Sequence, residues 1–232
     1  MLSFFKVIFL KKVSKIYKPN IKALYNVSLS IENGEFVSIV GQSGSGKTTL
    51  LKLITAEIKP TKGKVIVDKW EVPLIKKKYL PYFRRNIGVV FQDFKLLEKK
   101  TAYENIAFAM EVSGCAEQDI EECVPQMLDI VGLKDKANRF PYELSGGEQQ
   151  RIAISRAMIH EPKILIADEP TGNLDTLNSW DIVQLLLEIN KLGTTVILAT
   201  HGKDFVNSIK KRVITLENGQ VIKDQEKGKY IL

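Results

Sequence analysis

Gly41-Gln42-Ser43-Gly44-Ser45-Gly46-Lys47-Thr48 reads G-x-x-x-x-G-K-[ST], the pattern of a phosphate-binding loop. The run before it, Phe36-Val37-Ser38-Ile39-Val40, predicts a short buried strand. The run after it, Thr49-Leu50-Leu51-Lys52-Leu53-Ile54-Thr55, has helical spacing. Strand, glycine loop and helix together form the context that gives the pattern its meaning. Glycines let the backbone bend around an anion and aim several N–H groups at it. The helix start adds partial positive charge. Lys47 can reach the β- and γ-phosphates of a nucleotide, and the Thr48 hydroxyl can ligate Mg²⁺. The chain is therefore expected to bind ATP or a similar triphosphate through Gly41, Gln42, Ser43, Gly44, Ser45, Gly46, Lys47, Thr48 and the adjoining Thr49.

Length and composition bound the rest. With 232 residues, 44% of them hydrophobic, one sizeable domain over residues 1–232 is expected. The net charge of +7 comes from lysines spread along the chain and reads as a solvated basic surface. The densest run, Lys76-Lys77-Lys78 with Arg84-Arg85, is short, and no nucleic-acid partner is expected. Two cysteines, Cys115 and Cys123, make neither a disulfide framework nor a four-ligand metal site, which suits a reducing cytoplasm. The apolar start, Met1 to Leu10, is far shorter than the roughly 20 residues a membrane span needs. It reads as a first strand rather than a leader. No other stretch reads as a span, so a membrane role is expected to run through a partner.

Along the chain, residues 4–17 and 24–31 predict two strands joined through Lys18-Pro19-Asn20. Strands follow at Lys64–Asp68 and Ile87–Phe91, with a short helix over Tyr79–Arg85. Thr101-Ala102-Tyr103-Glu104 is a capping box opening a helix to about Val112. A second helix is expected from about Ala116 to Val131, kinked or broken at Pro125 and closed by Gly132. Residues 100–160 thus read as a helical insert. Ile164–Asp168 is a strand, Ser179–Leu192 an amphipathic helix, and Thr194–Thr200 and Arg212–Leu216 are strands. Glu217-Asn218-Gly219-Gln220 is a hairpin turn into Val221-Ile222.

Two further motifs join the phosphate loop. Ile164-Leu165-Ile166-Ala167-Asp168-Glu169 is an apolar strand ending in two acids. Asp168 can hold a metal shell, and Glu169 can act as general base toward a water at the γ-phosphate. Leu144-Ser145-Gly146-Gly147-Glu148-Gln149-Gln150 places a hydroxyl and two glycines at a helix start, a second anion site.

With its Leu-Ser-Gly-Gly signature, the chain resembles the ATP-binding-cassette (ABC) ATPases over residues 4–225. The resemblance implies an α/β fold: a P-loop NTPase core, an N-terminal antiparallel β layer and an α-helical insert subdomain. It implies that Tyr17 stacks on adenine. It also implies that Gln92 links Mg²⁺ and the γ-phosphate to the membrane-domain interface. Asp168 and Glu169 match the family's acidic strand end. Asp175 matches the residue that crosses to the partner subunit, and His201 the histidine at the γ-phosphate. His160, before Glu161-Pro162, reads as structural. The implied assembly is a head-to-tail dimer of two copies of this chain. In it, ATP lies between the phosphate loop of one copy and Ser145, Gly146 and Gly147 of the other. One departure, Ser155-Arg156-Ala157 in place of the commoner Ala-Arg-Ala, exchanges one small residue for another.

Within the family, Val90–Leu97, Leu144–Arg151, Ala167–Asp175 and Lys211–Gly219 resemble the bacterial cell-division branch. That resemblance implies ATP-driven shape change at the cytoplasmic face of the inner membrane, relayed through an FtsX-like integral membrane protein to cell-wall hydrolases. The run Glu169–Asp175 is shared with lipoprotein-release and macrolide-export ATPases, which stand as the alternative. A DNA- or ribosome-directed member of the family would carry a long coiled coil or a second cassette, and neither pattern is present.

Overall fold

The computed structural model describes residues 6–228 and Tyr230. Strands β1 (Lys6–Tyr17) and β2 (Ile21–Glu32) pair antiparallel from Tyr17↔Ile21 to Lys6↔Glu32. The two residues expected to begin the first strand, 4 and 5, lie outside the described residues. Strand β4 (Lys62–Val67) pairs with the other edge of β1, and β5 (Trp70–Glu71) with β4, giving a four-stranded sheet. The second sheet holds β3 (Phe36–Val40), β6 (Ile87–Phe91), β7 (Ile164–Asp168), β8 (Thr195–Thr200), β9 (Arg212–Glu217) and β10 (Gln220–Gln225). Its order is β10-β9-β3-β8-β7-β6, parallel except for β10.

The parallel strands carry apolar residues on both faces because both are covered. Val37, Ile39, Ile164, Ile166, Ile197 and Ile214 face α1 (Lys47–Ile54) and the antiparallel sheet in one core. Their neighbours Phe36, Leu165, Ala167, Val196 and Leu198 face α5 (Gly146–Met158) and α6 (Thr176–Lys191) in another. Helices α3 (Ala102–Glu111) and α4 (Glu117–Ile130) close a third core with α5 through Ile106, Val124, Leu128 and Ile152. Cys115 and Cys123 pack against that core as half-buried filling. The short α2 (Leu80–Arg85) precedes β6, and α7 (Lys203–Ile209) follows β8.

The α/β architecture expected from the sequence is the one that folds. Some local readings are corrected. Helix α4 runs unbroken through Pro125. The carbonyl that the missing N–H leaves unbonded belongs to the exposed Glu121, where water can take it. Helix α6 starts at Thr176, earlier than Ser179, because the Asp175 carboxylate accepts the N–H of Asn178 and caps it. Helix α7, unread in the sequence, is seven residues long with only Val206 buried.

Arg212, the first residue of β9, joins the layers. It donates to Ser30 O at 2.9 Å, to Glu35 Oε1 at 3.0 Å and to both Asp224 oxygens at 2.7 Å. These carboxylates, Asp224 first, hold its pKa above the ordinary arginine range against the cost of burial. Arg212→Ala leaves Glu35, beside the sheet junction, with the Glu32 N–H but no charge partner. It should cost about 2 kcal/mol and lower the thermal midpoint by roughly 5 °C, read by circular dichroism. A midpoint within about 1 °C of the parent would leave the attachment to apolar contacts alone.

Candidate active site

Four strands bring the sequence-predicted residues together. Strands β3, β8, β7 and β6 lie side by side with their carboxyl ends in register: Val40 opposite Thr200, Asp168 opposite Ala199, Phe91 opposite Asp168. The residues that follow are Gly41, His201, Glu169 and Gln92. The crevice outside the carboxyl ends of an open parallel sheet is where such folds bind ligands.

The loop after β3 is held by close approach. A Cβ on Gly41 would sit 2.2 Å from Leu216 O, and one on Gly46 (φ 105°) 2.6 Å from Ala23 O. Only glycine fits either position. Lys47 is buried, 8% exposed, and its ammonium donates to Gly41 O at 2.7 Å and to Gln42 O at 3.2 Å. It lies 4.0 Å from Glu169 Oε1. The Thr48 hydroxyl points at Asp168 Oδ2 from 3.5 Å. Burial, and then the charge of Glu169, push the Asp168 carboxyl above the usual carboxylate range.

Glu169 has a left-handed backbone, φ 50°, a strained state for this residue type. The ladder imposes it: Glu169 N–H donates to Ala199 O at 2.9 Å. The turn aims the carboxylate at β8's end, where Oε2 accepts from His201 N at 3.3 Å and lies 2.9 Å from His201 Nδ1. That contact sets a proton on Nδ1. Gln42–Thr49, Gln92, Asp168, Glu169 and His201 line one cavity of about 780 Å³ with Ile21, Lys22, Ala23 and Tyr230. That volume suits a nucleotide. A cleft of about 830 Å³ lies at the opposite ends of the strands, beside Asn33, Lys163 and Thr194, without any of these groups.

The remaining candidates stand apart from the cavity. Tyr17 is not in its wall. Its ladder partner Ile21 is, while the Tyr17 ring is taken by Lys15 Nζ at 5.1 Å. Ser145 caps α5: its Oγ accepts Glu148 N–H at 3.3 Å, and the Glu148 carboxylate accepts Ser145 N–H at 2.8 Å. Lys136 pairs with Glu148 and holds that carboxyl below its usual range. Gly147 lies against Asn178, where a Cβ would come within 2.4 Å of Oδ1. Asn178 in turn donates to Asp175. The signature and Asp175 thus form one cluster of their own, away from the phosphate loop.

Sequence reading missed three links. Gln92 Nε2 donates to Asn173 Oδ1 at 3.3 Å, and Asn173 Nδ2 returns to Gln92 O at 3.0 Å, with the Gln92 amide lying close over Gly172, 2.7 Å from where a Cβ would stand. Arg156 donates to Phe94 O at 3.0 Å and Lys95 O at 2.7 Å. It fixes two successive left-handed residues, φ 54° and 50°. Asn105, fully buried, accepts from Leu97 N and returns to Leu97 O, while Leu96 packs on the helical core. Asn173 and Arg156 lay inside motifs quoted from the sequence, but their partners are distant in the chain. His160 bridges Ser113 Oγ at 2.9 Å and Ala109 O at 3.0 Å, a contact between helix ends.

Comparison with known proteins agrees with this geometry. The model of the family described as ABC transporter matches residues 24–172. The chain is 51% identical to the cell division ATP-binding protein FtsE of Bacillus subtilis (strain 168), over 95% of this chain and 97% of that one. It is 53% identical to the protein of the same name in Streptococcus pneumoniae D39, over 97% of each. Among solved structures, the ATP-binding cassette MJ0796, in a dimeric post-hydrolysis state bound to ADP and Pi, superposes with a TM-score of 0.85. It shares 38% identity over 96% of this chain and 100% of that one. A phosphate loop, two acids and a histidine meet at the ends of four parallel strands, with a signature helix standing apart: this chain belongs to the ABC transporter family of ATPases.

Proposed function

We propose that the chain is the ATPase subunit of a bacterial cell-division complex. Two copies close head to tail around ATP and move an FtsX-like integral membrane protein from the cytoplasmic face of the inner membrane. The relay would reach cell-wall hydrolases outside it. The observation that carries the division reading is its 51% identity, over 95% of the chain, to a protein named for that role. No helix among the described residues is long and apolar enough to cross a membrane, so a spanning partner suits the reading.

The chemistry follows from the cavity. The β- and γ-phosphates lie along Gln42–Thr49, and Lys47 exchanges the carbonyls of Gly41 and Gln42 for phosphate oxygens. Glu169 takes a proton from the attacking water. As the water oxygen bonds to the γ-phosphorus, the bond to the β,γ-bridging oxygen breaks, leaving ADP and phosphate. His201 holds the carboxylate through its backbone N–H and Nδ1–H, beside the place of the γ-phosphate. Thr48, Asp168 and Gln92 offer a hydroxyl, a carboxylate and an amide oxygen, hard donors that suit Mg²⁺. No group of three or more His, Cys, Asp or Glu among the described residues holds a metal alone, so the ion would arrive with the triphosphate. When bound, Mg²⁺ neutralises charge on the β- and γ-phosphates. The second copy would supply Ser145, Gly146, Gly147 and Asp175, and Tyr17 would turn from Lys15 onto adenine.

The route to the membrane partner would start at Gln92. Four residues on, Leu96 packs half-buried against the helical core. Beside the Arg156 clamp, however, lies a cleft of about 420 Å³ between α2–β6 and the helical insert, lined by Arg85, Phe91 and Val112 among others. Val112 is 66% exposed there, and an apolar residue so placed suits a cytoplasmic helix of the partner.

Glu169→Gln should keep ATP binding and slow hydrolysis by about 10²-fold or more. It should then elute as an ATP-held dimer in size-exclusion chromatography; wild-type turnover in this variant would remove Glu169 from the mechanism. Val112→Asp should leave folding and basal ATPase intact yet abolish co-purification with the membrane partner, and cells depending on it should fail to separate. Retained partner binding would place the contact outside this cleft.

A further inference from the structure

Tyr230 is 4% exposed, although it follows a polar stretch from Lys223 to Lys227. It forms a small apolar cluster with Val40, Val206 and Val213, separate from the larger cores. Val40 is the residue before Gly41, Val206 is the buried residue of α7, and Val213 lies on β9. The ring therefore wedges between the start of the phosphate loop and the helix that begins just after His201. Its seat is built into the chain. Tyr230 N–H donates to Asn207 Oδ1 on α7 at 2.8 Å. Gly228 N–H donates to Lys211 O at 3.2 Å, and a Cβ on Gly228 would come within 2.6 Å of Val213. Tyr230 also lines the nucleotide cavity with Gln42, Glu169 and His201.

Helix α7 needs such support. Seven residues with one buried side chain do not hold a helix in place. Its other side rests on Trp180 of α6, whose ring meets Phe205 edge-on at 4.9 Å. Phe205 in turn covers Gly202, beside His201, where a Cβ would lie 2.9 Å from the ring. The helix is thus held between two aromatic contacts, Phe205 on Trp180 and Val206 on Tyr230.

We propose that Tyr230 is a positioning residue for hydrolysis: it braces α7 against the phosphate loop and so fixes His201 where it meets Glu169. This rests on the reading that Glu169 and His201 act at the γ-phosphate. The effect should appear in turnover more than in nucleotide affinity: Tyr230 borders the cavity, but it is 4% exposed and packs on Val40, Val206 and Val213, so it acts chiefly through α7 and His201.

The test uses the full chain carrying Trp70→Phe, which leaves Trp180 as the single tryptophan of the original two and a reporter of α7. Tyr230→Ala should lower kcat about tenfold, keep MgATP affinity within about threefold, and shift Trp180 emission with loss of its response to ATP. Tyr230→Phe, which keeps the ring, should behave as the parent. Should Tyr230→Ala fail to fold, Asn207→Ala cuts only the tail's hydrogen bond. It should lower kcat about threefold with the same emission change. Unchanged turnover and emission in the variant that folds would overturn the proposal. So would a raised KM at constant kcat, or losses in kcat, affinity and thermal midpoint together. Parent-like turnover in His201→Ala and Glu169→Gln would instead remove the underlying reading of the site, and the proposal with it.

Discussion

The pairing of β7 with β8 is the constraint on which the site depends. Asp168 is the last residue of its strand in ladder, opposite Ala199, and Glu169 stays bonded to Ala199 O after its own backbone has turned left-handed. An unpaired Glu169 would relax from φ 50° and take its carboxylate away from His201, since such a conformation persists only when its surroundings over-determine it. The same ladder carries β8 to β3, whose last residue hands the chain to the phosphate loop. The chemistry is therefore a by-product of register. Slipping one strand by one residue would separate acid, histidine and lysine and exchange the side chains that strand gives to the two cores.

Burial on both faces of the parallel sheet explains why these strands were so readable. Phe36–Val40, Ile164–Asp168 and Thr195–Thr200 are apolar runs whose boundaries are set by glycine or by charge. The capping boxes at Thr101 and Ser145 were equally legible, because a cap is a contact between residues three apart. The phosphate loop, Asp168, Glu169 and His201 were read as motifs and do meet in one cavity. What escaped depends on contacts distant in sequence. Pro125 reads as a break, but its helix is held by packing. Helix α7 has too few buried positions to show a period. The Gln92–Asn173 pair spans 81 residues and Tyr230's bond to Asn207 spans 23.

The residues assigned to ATP hydrolysis fall in two places on the single chain. Its cavity holds the phosphate loop, the two acids and the histidine, whereas the signature helix and Asp175 form a second cluster. The Gln92–Asn173 bond gives the two clusters a physical link inside one subunit, because Asn173 lies two residues before Asp175. On the proposed head-to-tail arrangement, a γ-phosphate that moved Gln92 would thereby move the turn that meets the other copy. Such coupling needs an element with two arrangements, and this turn, exposed at Gly172 and Asn173 and held largely by side-chain bonds, is suited to be one.

The completion of one copy's site by another is tested most directly by mixing two inactive proteins. Lys47→Ala removes the phosphate contact of its own cavity, and Ser145→Arg blocks the helix start offered to the partner. Each alone should be inactive as a homodimer. Mixed, they form heterodimers in which one of the two sites keeps both its lysine and its signature, and ATP turnover should return. Heterodimers that form, shown by tagged co-purification, yet hydrolyse no ATP would contradict a head-to-tail site shared between two copies.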